Sequence, residues 1–352
     1  MADQASATGR EGLHFAVVGA GVAGLTCARE LQALGLRVTV FERRAAAGGR
    51  LTSQAWEGGL CDLGAQFLTA RGEPFGEQVR TWLDEGRLQR WDPIIAEFDR
   101  GQGMLVKATA PAYVGVPSMQ SLADGMTVNL DIVYQAEVGR LARGQSEWYL
   151  FDTQDRPLGI AGFDGLVLAM PSPVARGLLR ALAEFAPDAL PGMAGRLDAV
   201  TWDACWSACI ALSRPSGIDF DVAFIRDDPI LSWAAREESK PGRALGPGVA
   251  ERWVLQARAS WSNGYAELAP DEAGRWMQRA FAARLARPLL QKSCLALRWP
   301  HASPVGLFEA SHVWDAGPRI GLAGDWCGGS SIETAYLSGR SLARAIAGAP
   351  GP

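Results

Sequence analysis

Lysine is nearly missing from this chain. Only Lys107, Lys240 and Lys292 occur in 352 residues, so almost all of the 34 basic side chains are arginine. Histidine is as scarce, with three residues, His14, His301 and His312. The six cysteines (Cys27, Cys61, Cys205, Cys209, Cys294, Cys327) form no C-x-x-C pair and no metal-ligand spacing with the histidines. Buried thiols, no metal and a reduced, cytoplasmic setting are the expectation. No run reaches the length of about 18 apolar residues that a membrane span needs. The opening MADQASATGREG has no apolar stretch, so residues 1–12 read as a flexible tail and not as a signal peptide. A net charge of −4 gives no argument for a nucleic-acid partner. Nothing resembles a catalytic triad, a metal site or an activated lysine. The remaining composition, 48% hydrophobic and 20% charged, is that of a globular protein long enough for two domains.

What is present begins at residue 14. His14 to Val18 reads as a buried strand, and Gly19-Ala20-Gly21-Val22-Ala23-Gly24 completes G-x-G-x-x-G directly after it. Chance alone can produce such a triplet in a chain with 41 glycines, so the context decides. Leu25, Ala28, Leu31 and Leu34 recur at helical spacing, and Gly35 sits at a C-cap position. Arg37 to Phe41 reads as a second strand, closed by Glu42, 18 residues beyond Gly24. The physical logic is specific. The first glycine permits the turn, the second admits a pyrophosphate, and the third lets helix and strand approach. The helix N-terminus then faces phosphates, and an acid at the second strand's end accepts from ribose hydroxyls. A free 2′-hydroxyl fits NAD or FAD better than NADP, although Arg43 and Arg44 follow the acid.

Further along, residues 71–103 read as helical and then irregular, and 104–120 as a short strand and a loop. Thr127 to Leu141 and Glu147 to Thr153 read as paired strands, and Gly165 to Met170 as a buried strand. Val174 to Phe185 reads as a helix. Strand-like stretches at 205–212, 220–226, 230–235 and 252–260 suggest a second sheet. Pro270 to Ala286 reads as an amphipathic helix, Leu295 to Arg298 and Arg319 to Ala323 as strands, and Glu333 to Ala347 as a closing helix. Lys240 to Gly248 (KPGRALGPG) reads as a loop.

Four more motifs separate NAD from FAD. After Glu42 come Ala47-Gly48-Gly49-Arg50 and Asp62-Leu63-Gly64-Ala65-Gln66-Phe67. Far downstream come Gly324-Asp325 and then Ile332-Glu333-Thr334-Ala335, which open a helix. In this order they resemble the FAD-binding framework of the flavin amine oxidase superfamily. The resemblance implies an α/β fold: a Rossmann-type FAD-binding domain with a second, discontinuous α+β substrate domain. This is the two-domain architecture of amine oxidases and p-hydroxybenzoate hydroxylase. It places the cofactor domain at 13–74, 104–172 and 295–352, and the substrate domain at 75–103 and 173–294. It implies non-covalent FAD, despite Cys327 in the late segment. The implied cofactor-binding residues are Gly19, Ala20, Gly21, Val22, Ala23, Gly24, Glu42, Arg43, Gly49, Arg50, Gly64, Ala65, Gln66, Phe67, Val138, Gly324, Asp325, Ile332, Glu333 and Ala335.

GAQFLTAR (64–71), Tyr113 to Met119, Ser232 to Arg236, Ser239-Lys240-Pro241, Ser260-Trp261-Ser262 and GDWCGGSSIETAYLSG (324–339) resemble one branch, the bacterial renalases. That resemblance runs from about residue 13 to 347. It implies an oxidase that takes a hydride from the 2- and 6-dihydro isomers of NAD(P)H to flavin N5. The products are NAD(P)+ and, with O2 as acceptor, hydrogen peroxide. It points to Arg236, Gln256, Trp299 and His301 as catalytic or substrate-orienting residues, with Trp233 and Trp261 beside them. Relatives carry asparagine, histidine and tyrosine where this chain has Glu237, Gln256 and His301, so the exact substrate stays open. Glu237 would repel an anionic substrate if it faced the pocket. The alternatives are a flavin-containing amine oxidase, another small-molecule flavin oxidase, and a non-catalytic FAD-binding protein.

Overall fold

The computed structural model describes residues 12–99, 102–106, 111–185, 193–306 and 308–348. The expected tail at 1–12 lies almost wholly outside these residues, and so does Lys107. The chain opens with β1 (His14–Val18), α1 (Val22–Ala33), β2 (Arg37–Glu42), β3 (Ser53–Trp56), β4 (Gly59–Asp62) and α2 (Glu73–Asp84). Then come β5 (Leu88–Trp91), β6 (Ile95–Asp99), β7 (Gln102–Val106), β8 (Ala112–Gly115), α3 (Gln120–Met126), β9 (Asp131–Tyr134) and β10 (Val138–Arg143). Next are β11 (Trp148–Asp152), β12 (Gly165–Leu168), α4 (Ser172–Phe185), β13 (Thr201–Leu212), β14 (Val222–Ile225), β15 (Leu231–Arg236) and β16 (Glu251–Ala257). The last are α5 (Ala259–Gly264), α6 (Pro270–Arg284), β17 (Gln291–Val305), β18 (Val313–Asp315), β19 (Ile320–Leu322) and α7 (Ile332–Ile346).

These elements form two compact units. The first comprises Met1–Gly49, Ala123–Thr201 and Pro304–Pro352, and the second Arg50–Leu122 and Trp202–Ser303. The boundaries differ from those read in the sequence. Residues 50–74, 104–122 and 295–303 group with the second unit, and 173–201 with the first.

The first unit is built on a six-stranded sheet of order β18-β19-β12-β1-β2-β9. β1 pairs in parallel with β2 on one side and β12 on the other, and its residues from Phe15 to Val18 are buried. Parallel strands covered on both faces read as continuous apolar runs, which is why HFAVV and GLVL were legible. α1 buries Leu25, Ala28 and Leu31 of the expected stripe, whereas Leu34 falls at the C-cap, past the last helical residue, and is 51% exposed. Strand order reverses at β1, and ligands of open α/β sheets bind beyond the carboxyl end of the strand at such a reversal. Thr127 to Leu141 is not one strand. β9 adds to β2 in parallel, while β10 pairs with β11. Gln135 at φ +55 breaks the run between them.

The second unit is built on a seven-stranded sheet of order β17-β13-β16-β15-β14-β6-β7. One face packs on α6 through Trp253, Leu255, Ala273, Met277 and Phe281, all fully buried. The stretch expected to be irregular after residue 84 supplies β5 and β6. β17 runs straight through Pro300, well past the expected end at Arg298. Proline lacks the ladder donor, and an edge position such as β17's tolerates that loss. Among the described residues no helix is long and apolar enough to cross a membrane.

Candidate functional site

In the first unit the glycine turn behaves as three different devices. Gly19 sits at φ +105, and a Cβ there would lie 2.5 Å from the Ala169 carbonyl oxygen. A Cβ on Gly24 would lie 1.9 Å from the Gly19 oxygen, so that glycine serves helix–strand approach. Gly21 is different. It has φ −79, which any residue adopts, and a Cβ on it would meet nothing within 4 Å. Among the described residues nothing requires glycine there; the open space is what a ligand's pyrophosphate would fill. Gly21 is also the N-cap of α1, with no side-chain cap and no acid in the first turn. The free N–H groups of that turn are an anion-binding arrangement.

Glu42 stands beside this turn, 6% exposed. One carboxylate oxygen accepts from the Ala20 N–H at 2.9 Å and the other from the Arg44 N–H at 2.9 Å. Each oxygen keeps a second lone pair, which suits a pair of ribose hydroxyls. Val22 and Ala23 are buried in the first turn of α1. Gly48 donates to the Ala20 carbonyl at 2.8 Å, and Gly49, at φ +56, would bring a Cβ to 3.5 Å from the Gly21 Cα. Half-buried Arg44 donates to the Gly49 carbonyl, while the exposed Arg43 lies 3.9 Å from the exposed Glu137. Val138 opens β10, just after Ala136 donates to the Glu42 carbonyl. The late motif joins the same unit. The Gly324 N–H donates to Ser338 Oγ at 3.0 Å, and Asp325 is buried. Ser331 caps α7 reciprocally with Thr334. Glu333 is buried, with Ile332 and Ala335 half-buried in that first turn. α7 lies on α1 so closely that a Cβ on Gly339 would sit 2.1 Å from the Ala23 oxygen.

The second unit gathers the candidate substrate residues into three groups. Gln256 and Trp299 meet at one turn: Gln256 donates to the Gly64 carbonyl at 2.8 Å and Trp299 to the Leu63 carbonyl at 2.8 Å. His301 meets the Trp202 ring edge-on at 5.8 Å. Arg50 lies over the same ring at 5.2 Å and donates to the Ala302 carbonyl at 3.0 Å. Ala65 donates to the Arg50 carbonyl, joining this group to the first. Arg236 stands apart. It donates to the Ile218 and Phe220 carbonyls at 2.9 and 2.5 Å, lies 3.6 Å from Asp221, and stacks over Trp253 at 5.2 Å. Trp261 belongs to the core under α6. Phe67 stacks on Trp233 at 5.7 Å and lies 6.2 Å from Trp91.

The group that sequence reasoning missed is tied to the Gly64 carbonyl through Gln66. Lys240, read as part of a loop, is 2% exposed. Its ammonium sits 2.5 Å from Glu237, 3.2 Å from Asp62 and 3.0 Å from Gln66 Oε1. Arg243 pairs with Asp62 and approaches Glu237 at 3.7 Å. Ser53 and the Met119 N–H also donate to Asp62, at 2.6 and 3.0 Å. Two carboxylates and two cations thus neutralise one another away from water. Glu237 faces this cluster and not a substrate. Burial opposes the charge on Asp62, but Lys240 and Arg243 outweigh it and hold its carboxyl below the usual range. For Glu237 burial dominates and raises the carboxyl above its usual range, despite Lys240. Gln66 relays the cluster upward. Its amide accepts from Lys240 and donates to the Asp62 and Gly64 carbonyls, the latter at 3.1 Å.

Residues 17–85 match the NAD(P)-binding Rossmann-like domain. A stretch of 78 residues is 41% identical to the lysine-specific histone demethylase 1 homolog 1 of Arabidopsis thaliana. It covers 20% of this chain and 9% of that protein, so this chain spans only a small part of that relative's length. The whole fold resembles a protein from Exiguobacterium sp. 255-15 assigned as a protoporphyrinogen oxidase. The TM-score is 0.73 at 13% identity, over 95% of this chain and 98% of that one. It also resembles putrescine oxidase bound to putrescine, with TM-score 0.70 at 12% identity over 95% and 99%. At these identities the likeness is one of fold: the expected α/β architecture, with a Rossmann-like nucleotide-binding domain, is the one these two-domain oxidases share.

Proposed function

We propose that the protein is an FAD-dependent oxidase acting on the 2- and 6-dihydro isomers of NAD(P)H, with O2 as acceptor and NAD(P)+ and hydrogen peroxide as products. The observation that carries the cofactor half is the open space at Gly21, set at an uncapped helix N-terminus beside Glu42. The α1 N–H groups would hold the pyrophosphate, and Glu42 the ribose. Gly324, Asp325 and the first turn of α7 from Ile332 to Ala335 are proposed for the remainder, together with Val138, Arg43, Gly49, Arg50 and the turn from Gly64 to Phe67. When bound, FAD supplies a two-electron acceptor that oxygen can reoxidise.

The substrate half rests on what the chain's own residues are free to do. A dihydropyridine regains aromaticity on losing a hydride, so it asks the protein for orientation and exclusion of water, with no strong base. The second unit supports that division. Gln256 and Trp299 are fixed on the Leu63–Gly64 carbonyls, and Trp299 adds an apolar wall. An amine oxidase that uses a lysine would need one available. Of the two lysines among the described residues, Lys240 is committed to Glu237 and Asp62, and Lys292 lies 2.7 Å from Glu57 at the surface.

Anaerobic mixing tests the reading. The oxidised, FAD-loaded protein is mixed with the separated dihydro isomers of NADH and, in parallel, with a panel of primary and secondary amines. Loss of the flavin absorbance with the isomers alone is the expected result. Loss with amines alone would replace this substrate by an amine. No loss with any of them would leave a nucleotide-binding protein without this chemistry.

A further inference from the structure

Three carbonyls in a row, those of Asp62, Leu63 and Gly64, accept from side-chain donors. The Gln66 amide donates to Asp62 and, at 3.1 Å, to Gly64. The Trp299 indole donates to Leu63 at 2.8 Å, and the Gln256 amide to Gly64 at 2.8 Å. Two of these donors come from far along the chain. Gln256 lies on β16 and Trp299 on β17, the two neighbours of β13, so two strands of one sheet reach the same turn. An indole has a single N–H, and that of Trp299 is spent on the backbone. The Gly64 carbonyl takes two donors, one for each of its lone pairs.

The consequence follows from the peptide plane. In a trans peptide the C=O and the next residue's N–H point in opposite directions and turn together. Holding the Asp62, Leu63 and Gly64 carbonyls therefore sets the directions of the Leu63, Gly64 and Ala65 N–H groups. Ala65 shows the result, for its N–H donates to the Arg50 carbonyl at 2.9 Å. The chain is pressed close there, since a Cβ on Gly64 would lie 2.0 Å from the same Arg50 oxygen. Gln66 and Trp299 are buried, whereas Gly64, Ala65 and Phe67 keep part of their surface open. The turn is thus fixed from the inside and reachable from the outside. A binding segment held in this way needs no ordering when its ligand arrives.

We propose that Gln256 and Trp299, together with Gln66, are positioning residues of the cofactor turn. Their side-chain N–H groups set its peptide planes, and through them the affinity for FAD and the setting of the flavin. The inference rests on the cofactor half of the reading above, in which the turn from Gly64 to Phe67 holds FAD. It moves the polar groups of Gln256 and Trp299 from the substrate to the cofactor.

The test needs no turnover. FAD is titrated into the cofactor-free protein and followed by flavin fluorescence, and the visible spectrum is recorded at saturation. Both are measured well below each variant's unfolding midpoint, so loss of folded protein does not enter. Trp299→Phe leaves the Leu63 carbonyl with no donor among the described residues, and it should weaken FAD about tenfold. Gln256→Leu should weaken it only about threefold, because the Gly64 carbonyl keeps Gln66. Gln256→Glu has the shape of the wild type but sets an acceptor against that carbonyl, and it should weaken FAD about tenfold or more. The Trp299→Phe and Gln256→Glu variants should also shift the bands of the bound flavin before any substrate is added. FAD affinity within about twofold of wild type in both, with unshifted bands, would overturn the proposal. So would a raised KM for the dihydro isomers at unchanged FAD affinity, which would return both side chains to the substrate. If Trp299→Phe does not fold, the two Gln256 variants decide, and equal or inverted losses overturn the proposal. A wild type that binds FAD but is not bleached by the isomers, with these losses in the variants, sinks the substrate reading and spares this inference. Bleaching with unchanged FAD affinity in the variants does the reverse. A wild type that takes up no FAD overturns both, and it is recognised before any variant is made.

Discussion

Replacing Lys240 by methionine keeps the side chain's length and removes its charge. The ammonium lies 2.5 Å from Glu237 and 3.2 Å from Asp62, and all three side chains are inaccessible to water. Without it Arg243 alone faces two buried carboxylates, and the cluster carries a net negative charge. Removing one partner of a buried ion pair costs about 3–5 kcal/mol, because the remaining charge cannot be hydrated. In a unit of this size about 1 kcal/mol moves the midpoint by about 2–4 °C, so a fall of about 6–20 °C is expected. Thermal unfolding followed by circular dichroism measures it. The pH dependence gives a second reading. Burial raises the Glu237 carboxyl. A carboxyl whose pKa is raised on folding favours the folded state below its unfolded pKa, and that contribution is lost as pH rises through the folded value. In the variant, protonated Glu237 needs no cation, so the penalty should shrink between pH 8 and pH 5. Lys292→Met is the control. Its partner Glu57 sits at the surface, and that ion pair is worth about 1 kcal/mol or less. A Lys240→Met protein within about 1 kcal/mol of wild type, or a penalty flat across that pH range, would refute the account of the cluster.

The glycine turn separates folding from binding. Gly21→Ala should leave the midpoint of the cofactor-free protein unchanged, since its methyl group meets no protein atom, while FAD affinity measured by flavin fluorescence falls about tenfold or more. Gly24→Ala should destabilise the cofactor-free protein by about 1–3 kcal/mol or more, because its methyl group runs into the Gly19 carbonyl. Glu42→Ala removes the acceptor of two backbone donors, and it should lower both the midpoint and FAD affinity. Burial pushes Cys205 and Cys327 up to about 12 and Cys294 up to about 11. An Ellman titration at pH 8 should therefore find little reactive thiol in the native protein and six after denaturation.

The parts of this molecule that could be read from sequence are those whose partners are close in sequence. Gly19, Gly21, Gly24 and Glu42 lie within one βαβ segment, and their roles follow from spacing, turn chemistry and the period of the intervening helix. Four of the seven strands of the second sheet, β13 to β16, announced themselves by apolar runs and differ from the reading only at their ends, whereas β6 lies in a stretch that read as irregular. The Asp62–Lys240 pairing had no such signal. The two residues are 178 positions apart, and a lysine in SKPGR carries the ordinary marks of a solvated loop. Glu237 looked like a pocket residue for the same reason, since its sequence neighbourhood says nothing of the cations that surround it.

The same limit explains the substrate candidates. The family resemblance nominated Arg236, Gln256, Trp299 and His301 together, but the side chains divide by what they can reach. Arg236 turns back toward the Ile218 and Phe220 carbonyls, His301 joins Trp202, and only Gln256 and Trp299 share a turn. That turn, Leu63–Gly64, follows Asp62 directly, and Gln66 ties its carbonyl to Lys240. A charged cluster with no access to solvent thus holds in place a segment whose own residues are small or neutral. Long-range electrostatic satisfaction, which no local pattern encodes, sets the geometry of a motif that local pattern made visible.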